Sequence, residues 1–108
     1  MIIEINNKEY ELRFNINTLC EMSEQGFDVM DLTNVKINMR TVRDLFYYAL
    51  KGGNKKITKN QAGELMDQFI EDGHNFDELI EIVMDALGRS LGSKKPEDKE
   101  EGAEVGLQ

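Results

Sequence analysis

The first fourteen residues alternate between apolar and polar side chains, whereas later apolar side chains recur every three or four positions as far as residue 92. Alternation is typical of a half-buried β-strand, and the longer period is typical of an amphipathic helix. Between two alternating runs, Asn6-Asn7-Lys8 supplies residues that tolerate positive φ, which predicts a β-hairpin. A lone hairpin is only marginally stable in water, so we expect its apolar face to rest on helices. That face consists of Ile3, Ile5, Tyr10, Leu12 and Phe14.

The stretch from residue 57 to residue 92 predicts two capped amphipathic helices joined by a short turn. Thr58 with Gln61 three residues later has the form of a capping box, in which each side chain bonds the backbone N–H of the other residue. Gly73 suits the left-handed position that ends a helix. The apolar side chains of the first helix are expected on one buried stripe, which comprises Ala62, Leu65, Met66, Phe69 and Ile70.

The second helix of this pair begins after His74. Asn75 with Glu78 gives another cap signal, and Gly92 closes the helix. The turn between the two helices is so short that they must form an antiparallel or steeply crossed pair. We expect the rest of the chain to pack on this pair. The second buried stripe comprises Phe76, Leu79, Ile80, Val83, Ala86, Leu87 and Leu91.

Two further helices are predicted earlier in the chain. Asn15 or Asn17 caps a short helix that ends at Gly26. Asn38 caps a longer helix that ends at Gly52-Gly53. The residues expected to face inward are Ile16, Leu19, Cys20 and either Met22 or Ser23 in the short helix, and Met39, Val42, Leu45, Phe46, Ala49 and Leu50 in the long one.

Residues 27–38 show no sustained period and are expected to form mostly loop. Asp28 can cap one turn of helix that carries Val29, Met30 and Leu32. Thr33-Asn34 breaks that turn. The stretch that follows, residues 35–38, is short, alternates between apolar and polar side chains and has an extended character.

These elements predict an α+β fold that is mainly α, with an N-terminal β-hairpin packed on a bundle of about four helices. The chain has 108 residues, 40% of them hydrophobic, which fits one globular domain at residues 1–92. Residues 93–108 lack an apolar period and predict a disordered acidic tail. The single Cys, the lack of a long apolar run and the lack of a signal-peptide pattern indicate a cytoplasmic protein.

Charge is distributed unevenly along the chain. The formal net charge of −8 argues against general affinity for nucleic acid or anionic membranes, since both favour a positive protein surface. Residues 36–59 carry a net charge of +6, whereas residues 1–35 carry −5 and residues 60–92 carry −7. These segments either neutralise one another across the folded surface or leave residues 36–59 as a docking face for an acidic partner.

Two adjacent tyrosines in the long helix are candidates for that docking face. Tyr47 and Tyr48 differ by about 100° around a helix, so they cannot both lie at the centre of its buried stripe. They either flank the core with their hydroxyls in water or anchor a partner, because Tyr is enriched at binding surfaces. The predicted partner-binding residues are Tyr47, Tyr48, Arg40, Arg43 and Lys51.

The sequence predicts no enzyme, cofactor site or metal site. Cys20 is interpreted as a small core residue rather than a nucleophile, since His74, the single His, lies far away in a turn. The run from Asp72 to Glu78 lacks the alternating oxygen ligands and central Gly of a calcium loop. Gly52-Gly53-Asn54 follows a helix instead of preceding one, which is the wrong polarity for a phosphate-binding loop.

Taken together, the pattern resembles the tail assembly chaperones of long-tailed (siphovirus-type) bacteriophages and prophages. The resemblance spans residues 1 to about 92 and concerns layout, without a catalytic signature. The hairpin turn reads Asn-Asn-Lys where Asn-Gly-Lys is expected, a departure that a type I′ turn tolerates because Asn also accepts positive φ. The stretches that carry the resemblance are residues 2–14, Leu19-Cys-Glu-Met, residues 39–50, Ile57-Thr-Lys-Asn-Gln-Ala-Gly-Glu-Leu-Met and Ala86-Leu-Gly-Arg-Ser-Leu-Gly.

The resemblance implies a non-catalytic protein of the bacterial host cytoplasm. Such proteins bind the tape-measure and tail-tube proteins, keep them soluble during assembly and are absent from the mature virion. Many have a longer form made by ribosomal frameshifting, and Lys94-Lys95 lies where such a slip would fall or simply begins a solvated tail. The alternative hypothesis is a small regulatory or adaptor module that binds one protein partner. Both hypotheses are compatible with formation of a homo-oligomer.

Overall fold

The computed structural model describes residues 1–31 and 36–92 of the chain. In this part, two N-terminal strands pair as an antiparallel hairpin, and four α-helices follow. The predicted α+β, mainly α fold class is confirmed. In chain order the elements are β1 (Ile2–Ile5), β2 (Lys8–Glu11), α1 (Ile16–Glu24), α2 (Met39–Gly52), α3 (Lys59–Glu71) and α4 (Phe76–Ser90).

Two sequence predictions fall partly or wholly outside the described residues. These are the disordered tail at residues 93–108 and the middle of the predicted loop at residues 32–35. In the part of that loop which is described, the Asp28 carboxylate accepts a hydrogen bond from the Met30 N–H at 2.9 Å. The Asp28 carbonyl accepts another from the Asp31 N–H at 2.9 Å, so Asp28 caps a single turn.

The hairpin turn follows from two consecutive asparagines. Asn6 and Asn7 adopt φ values of 54° and 66°, the left-handed conformation that a type I′ turn requires at both central positions. This turn sets an antiparallel register in which Ile3 lies opposite Tyr10. Because side chains alternate between the two faces of a strand, Ile3 and Ile5 both point into the core, and Ile5 is fully buried.

The helix starts confirm the predicted caps. Each cap residue has an extended backbone and accepts a hydrogen bond from the N–H three residues later, which satisfies one unpaired donor of the first turn. In α1 the cap is Asn15, the first of the two asparagines that the sequence left open. Reciprocal capping boxes join Asn15 with Thr18, Thr58 with Gln61 and Asn75 with Glu78, and Asn38 caps α2 through the Thr41 N–H.

The core is centred on α2, which packs against α1, α3, α4 and β2. Phe46, Ala49 and Leu50 on α2 are fully buried, so this helix forms the middle of the bundle. The sequence favoured the α3–α4 pair as the centre, and that expectation is wrong. The buried residues from the other elements include Ile5, Leu12, Phe14, Met22, Ala62, Phe69, Leu79, Val83 and Leu87.

Five residues that the sequence assigned to buried stripes are exposed. Cys20 lies about 150° around α1 from the centre of its buried face, which is formed by Thr18, Leu19 and Met22. The other four lie about 80–110° from the centre of their stripe, where burial depends on whether a neighbouring element covers them. They are Ile16 at 69% exposure, Met39 at 66%, Ile70 at 42% and Leu91 at 51%.

The hairpin is joined to the end of α2 by direct backbone contact. The Arg13 N–H donates to the Ala49 carbonyl at 2.9 Å, immediately before the last turn of α2. At Gly52 an added Cβ would overlap the carbonyl oxygen of Arg13, and at Gly53 it would overlap that of Glu11. The two chain segments can approach this closely because neither Gly has a side chain.

We predict that Gly52→Ala lowers the free energy of unfolding by about 3 kcal/mol or more, because backbone atoms cannot move aside as a flexible side chain does. Gly63→Ala in α3 is the matched control, since its Cβ would lie 3.5 Å from Arg43 Cδ, an ordinary contact. We expect this control to gain about 0.5–1 kcal/mol from the higher helix propensity of Ala. Urea unfolding followed by circular dichroism measures both, and equal stability of Gly52→Ala and the wild type would contradict the contact.

Candidate partner-binding surface

The two adjacent tyrosines of α2 have different surroundings. Tyr48 is only 7% exposed and belongs to the core, where it lines the same cavity as Met22 of α1. Tyr47 is partly exposed and packs against the rim of the core. Their rings meet edge to face, with centroids 4.9 Å apart and planes at 69°. Tyr47 therefore presents ring surface to solvent, while Tyr48 supports it from beneath.

Two lysines from different helices flank the exposed ring. Lys51 Nζ lies 6.0 Å from the centroid of Tyr47, and Lys59 Nζ lies 5.9 Å from it. Lys59 is also 5.7 Å from the centroid of Tyr48. An ammonium group at this distance is attracted to the negative face of an aromatic ring. We call Tyr47, Tyr48, Lys51 and Lys59 the tyrosine–lysine surface.

Acidic side chains neutralise part of this surface. Lys51 forms an ion pair of 2.7 Å with Glu21 of α1. Asp44 pairs with both Arg43 at 3.0 Å and Lys59 at 3.6 Å. Positive charge therefore exceeds negative charge locally, and each acidic group holds a basic side chain beside the tyrosine rings.

Contacts within this surface raise the pKa of two of its residues, Lys51 and Tyr48. The hydrogen bond that the Lys51 ammonium group donates to the Glu21 carboxylate raises the pKa of Lys51, which favours the charged form. Burial raises the pKa of Tyr48, and the nearby Tyr47 and Glu21 raise it further. Both shifts favour the protonated forms, which are the Lys51 ammonium group and the neutral Tyr48 phenol.

The structure brings together most of the predicted partner-binding residues. Tyr47, Tyr48 and Lys51 are in contact or nearly so, and Arg43 joins them through Asp44. Arg40 lies two turns before Tyr47 on α2 and lines the same cavity of about 360 Å³ as Tyr48, but it has no cation–ring contact with either tyrosine in the part of the chain that the structure describes. Arg40 is therefore on the same helix but outside the tyrosine–lysine surface.

Sequence reasoning missed Lys59 and a second cation–ring pair beside it. Lys55 Nζ lies 5.4 Å from the ring centroid of Tyr10, which belongs to β2. The rings beside these lysines come from α2 and from the hairpin, because residues 51–59 contain no aromatic residue. No local signal reveals this, since Tyr10 and Lys55 are 45 positions apart in the sequence.

His74 has a structural environment in the turn between α3 and α4. Its ring stacks on Phe69, with centroids 4.3 Å apart and planes at 10°. Its Nδ1 lies 3.3 Å from a carboxylate oxygen of Glu78. The pKa of Glu78 is lowered, chiefly by the hydrogen bond from the Asn75 backbone N–H and to a smaller extent by the hydrogen bond with the His74 ring. In residues 1–31 and 36–92 no three His, Cys, Asp or Glu side chains are placed to hold a metal ion.

We predict that the two tyrosines contribute unequally to stability. Tyr48→Ala should lower the free energy of unfolding by about 3 kcal/mol, as expected for removing a large buried ring. Tyr47→Ala should lower it by about 1 kcal/mol or less, because that ring is partly in water. Urea unfolding of both variants measures the difference, with Tyr48→Phe as a control that keeps the buried ring. Equal losses for Tyr47→Ala and Tyr48→Ala would contradict the assigned burial.

Comparison with known proteins identifies a family and no individual relative. None of the described helices has the length and apolar character needed to cross a membrane. No curated protein and no solved structure gives a significant match to the chain. Residues 1–105, nearly the whole chain, match the family described as "Domain of unknown function (DUF5055)". The chain therefore belongs to the DUF5055 family.

Proposed function

We propose that this protein is a tail assembly chaperone of a long-tailed bacteriophage or prophage. In this role it binds the tape-measure and tail-tube proteins in the bacterial cytoplasm, keeps them soluble during assembly and leaves before the virion is complete. It acts without catalysis, cofactor or metal. The tyrosine–lysine surface is the observation that carries the proposal, because it gives a small acidic protein a basic and aromatic face for protein partners.

The chemistry of this surface favours an acidic protein segment as its ligand. The exposed ring of Tyr47 supplies apolar contact area with little loss of side-chain entropy on binding. Lys51 and Lys59 can exchange their present carboxylate partners for those of a ligand, which makes binding selective for negative charge. Both present ion pairs are partly exposed and therefore weak, so exchanging them requires little free energy.

The layout of the fold also supports the proposal. The resemblance to tail assembly chaperones rests on a hairpin followed by helices, and the chain has that order. Asn6 and Asn7 both have positive φ in the hairpin turn, so Asn7 adopts the conformation that Gly would adopt in an Asn-Gly turn. The longer frameshifted form stays a prediction, since Lys94-Lys95 lies outside the described residues.

The proposal predicts direct binding to tail proteins encoded in the same genome. We expect the purified chain to bind the tape-measure protein, the tail-tube protein or both, and to raise their soluble fraction on co-expression. Tyr47→Ala combined with Lys51→Gln should weaken this binding about tenfold, a loss expected for a central aromatic residue and its neighbouring cation. Calorimetry with the purified proteins measures the dissociation constants.

Two control variants separate the surface from general effects. Tyr47→Phe keeps the aromatic ring, and Lys8→Gln removes an exposed charge at the hairpin, away from the tyrosine–lysine surface. Both variants should bind as the wild type does. If neither tail protein binds, the tail-assembly proposal is wrong and the small regulatory or adaptor module becomes the better hypothesis. If both bind but Tyr47→Ala with Lys51→Gln binds normally, the assignment of the surface is wrong.

A further inference from the structure

A second surface, between α2 and α4, has a different chemistry. It is a groove of about 220 Å³, and every described side chain that lines it is apolar. Two of them, Ile37 at 59% and Met84 at 40% exposure, are large side chains left in contact with water. Exposed apolar side chains that cluster around a cavity mark binding sites more often than scattered ones do. The lining residues are Ile37, Val42, Leu45, Ile80, Val83 and Met84.

The apolar strip continues along α4. Ile80, Met84 and Leu91 fall on one side of this helix at the helical period, and Leu91 is 51% exposed. Ile80 and Leu91 are eleven residues apart, which on a helix is about 16 Å, or three turns. The strip thus has the length and straightness of a short helix lying beside α4.

The outer rim of the groove is acidic and unpaired. Asp77 and Glu81 lie three residues before Ile80 and Met84, so each flanks one of the exposed apolar side chains. Both are exposed, and neither forms a hydrogen bond or ion pair in the part of the chain that the structure describes. By contrast, Asp85 on the same helix is paired with Arg89 at 3.1 Å. The rim therefore carries two carboxylates that a basic ligand can reach.

We propose that this groove binds an amphipathic helix of another protein whose apolar ridge is flanked by Lys or Arg. The ridge fills the space between Ile37 and Met84, and the basic flank pairs with Asp77 and Glu81. This is the helix-in-groove mode of recognition, with anchors at three- and four-residue steps. A second copy of the chain fits less well, because each copy carries a net charge of −8.

The groove and the tyrosine–lysine surface select ligands of opposite charge. The groove pairs apolar contacts with carboxylates, whereas Tyr47 is flanked by ammonium groups. The inference goes beyond the tail-assembly proposal, since it assigns a second binding site that does not require tail proteins as ligands.

Two synthetic peptides test the groove. Each is a labelled helix of about 18 residues with Leu on one face, and the flanks of that face carry Lys in one peptide and Glu in the other. We expect the Lys peptide to bind the full chain at least about tenfold more tightly than the Glu peptide, as two rim charges allow. Fluorescence anisotropy at low salt measures both affinities. Equal affinities, or no binding of the Lys peptide, would overturn the proposal.

Variants of α4 locate the binding. Met84→Asp should abolish binding of the Lys peptide, and Asp77→Lys with Glu81→Lys should reverse the preference toward the Glu peptide. Glu64→Lys with Glu71→Lys in α3 makes the same change in net charge at two exposed positions and should keep the preference of the wild type. The charge-reversal variant changes only exposed residues, so it stays informative even if Met84→Asp does not fold.

Self-association is the competing outcome. If the groove binds a helix of another protein, the free chain should have the mass of a monomer in analytical ultracentrifugation. A dimer that Met84→Asp dissociates would show that a second copy covers the groove, and the proposal would then be wrong.

Discussion

The fold depends on the contact between the segment after the hairpin and the last turn of α2. The Arg13 backbone crosses Gly52 at a distance that a Cβ would prevent, and its N–H bonds the Ala49 carbonyl. The next residue, Phe14, donates its N–H to the Ser90 hydroxyl at 3.0 Å, near the end of α4. Two consecutive residues thus join the segment after the hairpin to the C-terminal ends of α2 and α4, the two longest described helices. Leu12 and Phe14, which flank Arg13 in the sequence, are both buried in the core.

The same crossing organises the tyrosine–lysine surface. It holds the C-terminal turn of α2, which carries Lys51, near the hairpin that carries Tyr10. The loop after α2 then places Lys55 over the Tyr10 ring, and Lys59 at the start of α3 reaches Tyr47. The tyrosine–lysine surface, which is built from α2 and α3, thus lies on the helix whose end the Arg13 segment crosses.

Features that depend on neighbouring residues in the sequence could be predicted, and those that depend on packing could not. The caps at Thr58 and Asn75 are local hydrogen bonds, so the residue types and spacing determine them. Met39 and Ile70 lie at the edges of their stripes, and their exposure depends on which helix packs alongside. The burial of Tyr48 likewise depends on the position of α1, and the residues next to Tyr48 in the sequence do not predict that position. For the candidate site, the sequence identified Tyr47 and Lys51 but could not supply their partners from α3.

We propose that a tail protein binds at the tyrosine–lysine surface. The most direct measurement is NMR of the ¹⁵N-labelled chain during addition of substoichiometric tape-measure protein, because each backbone amide reports its own loss of signal. We predict the largest loss of intensity at residues 43–59. No loss at all, or the largest loss in the hairpin turn at Asn6 and Asn7, would contradict the account.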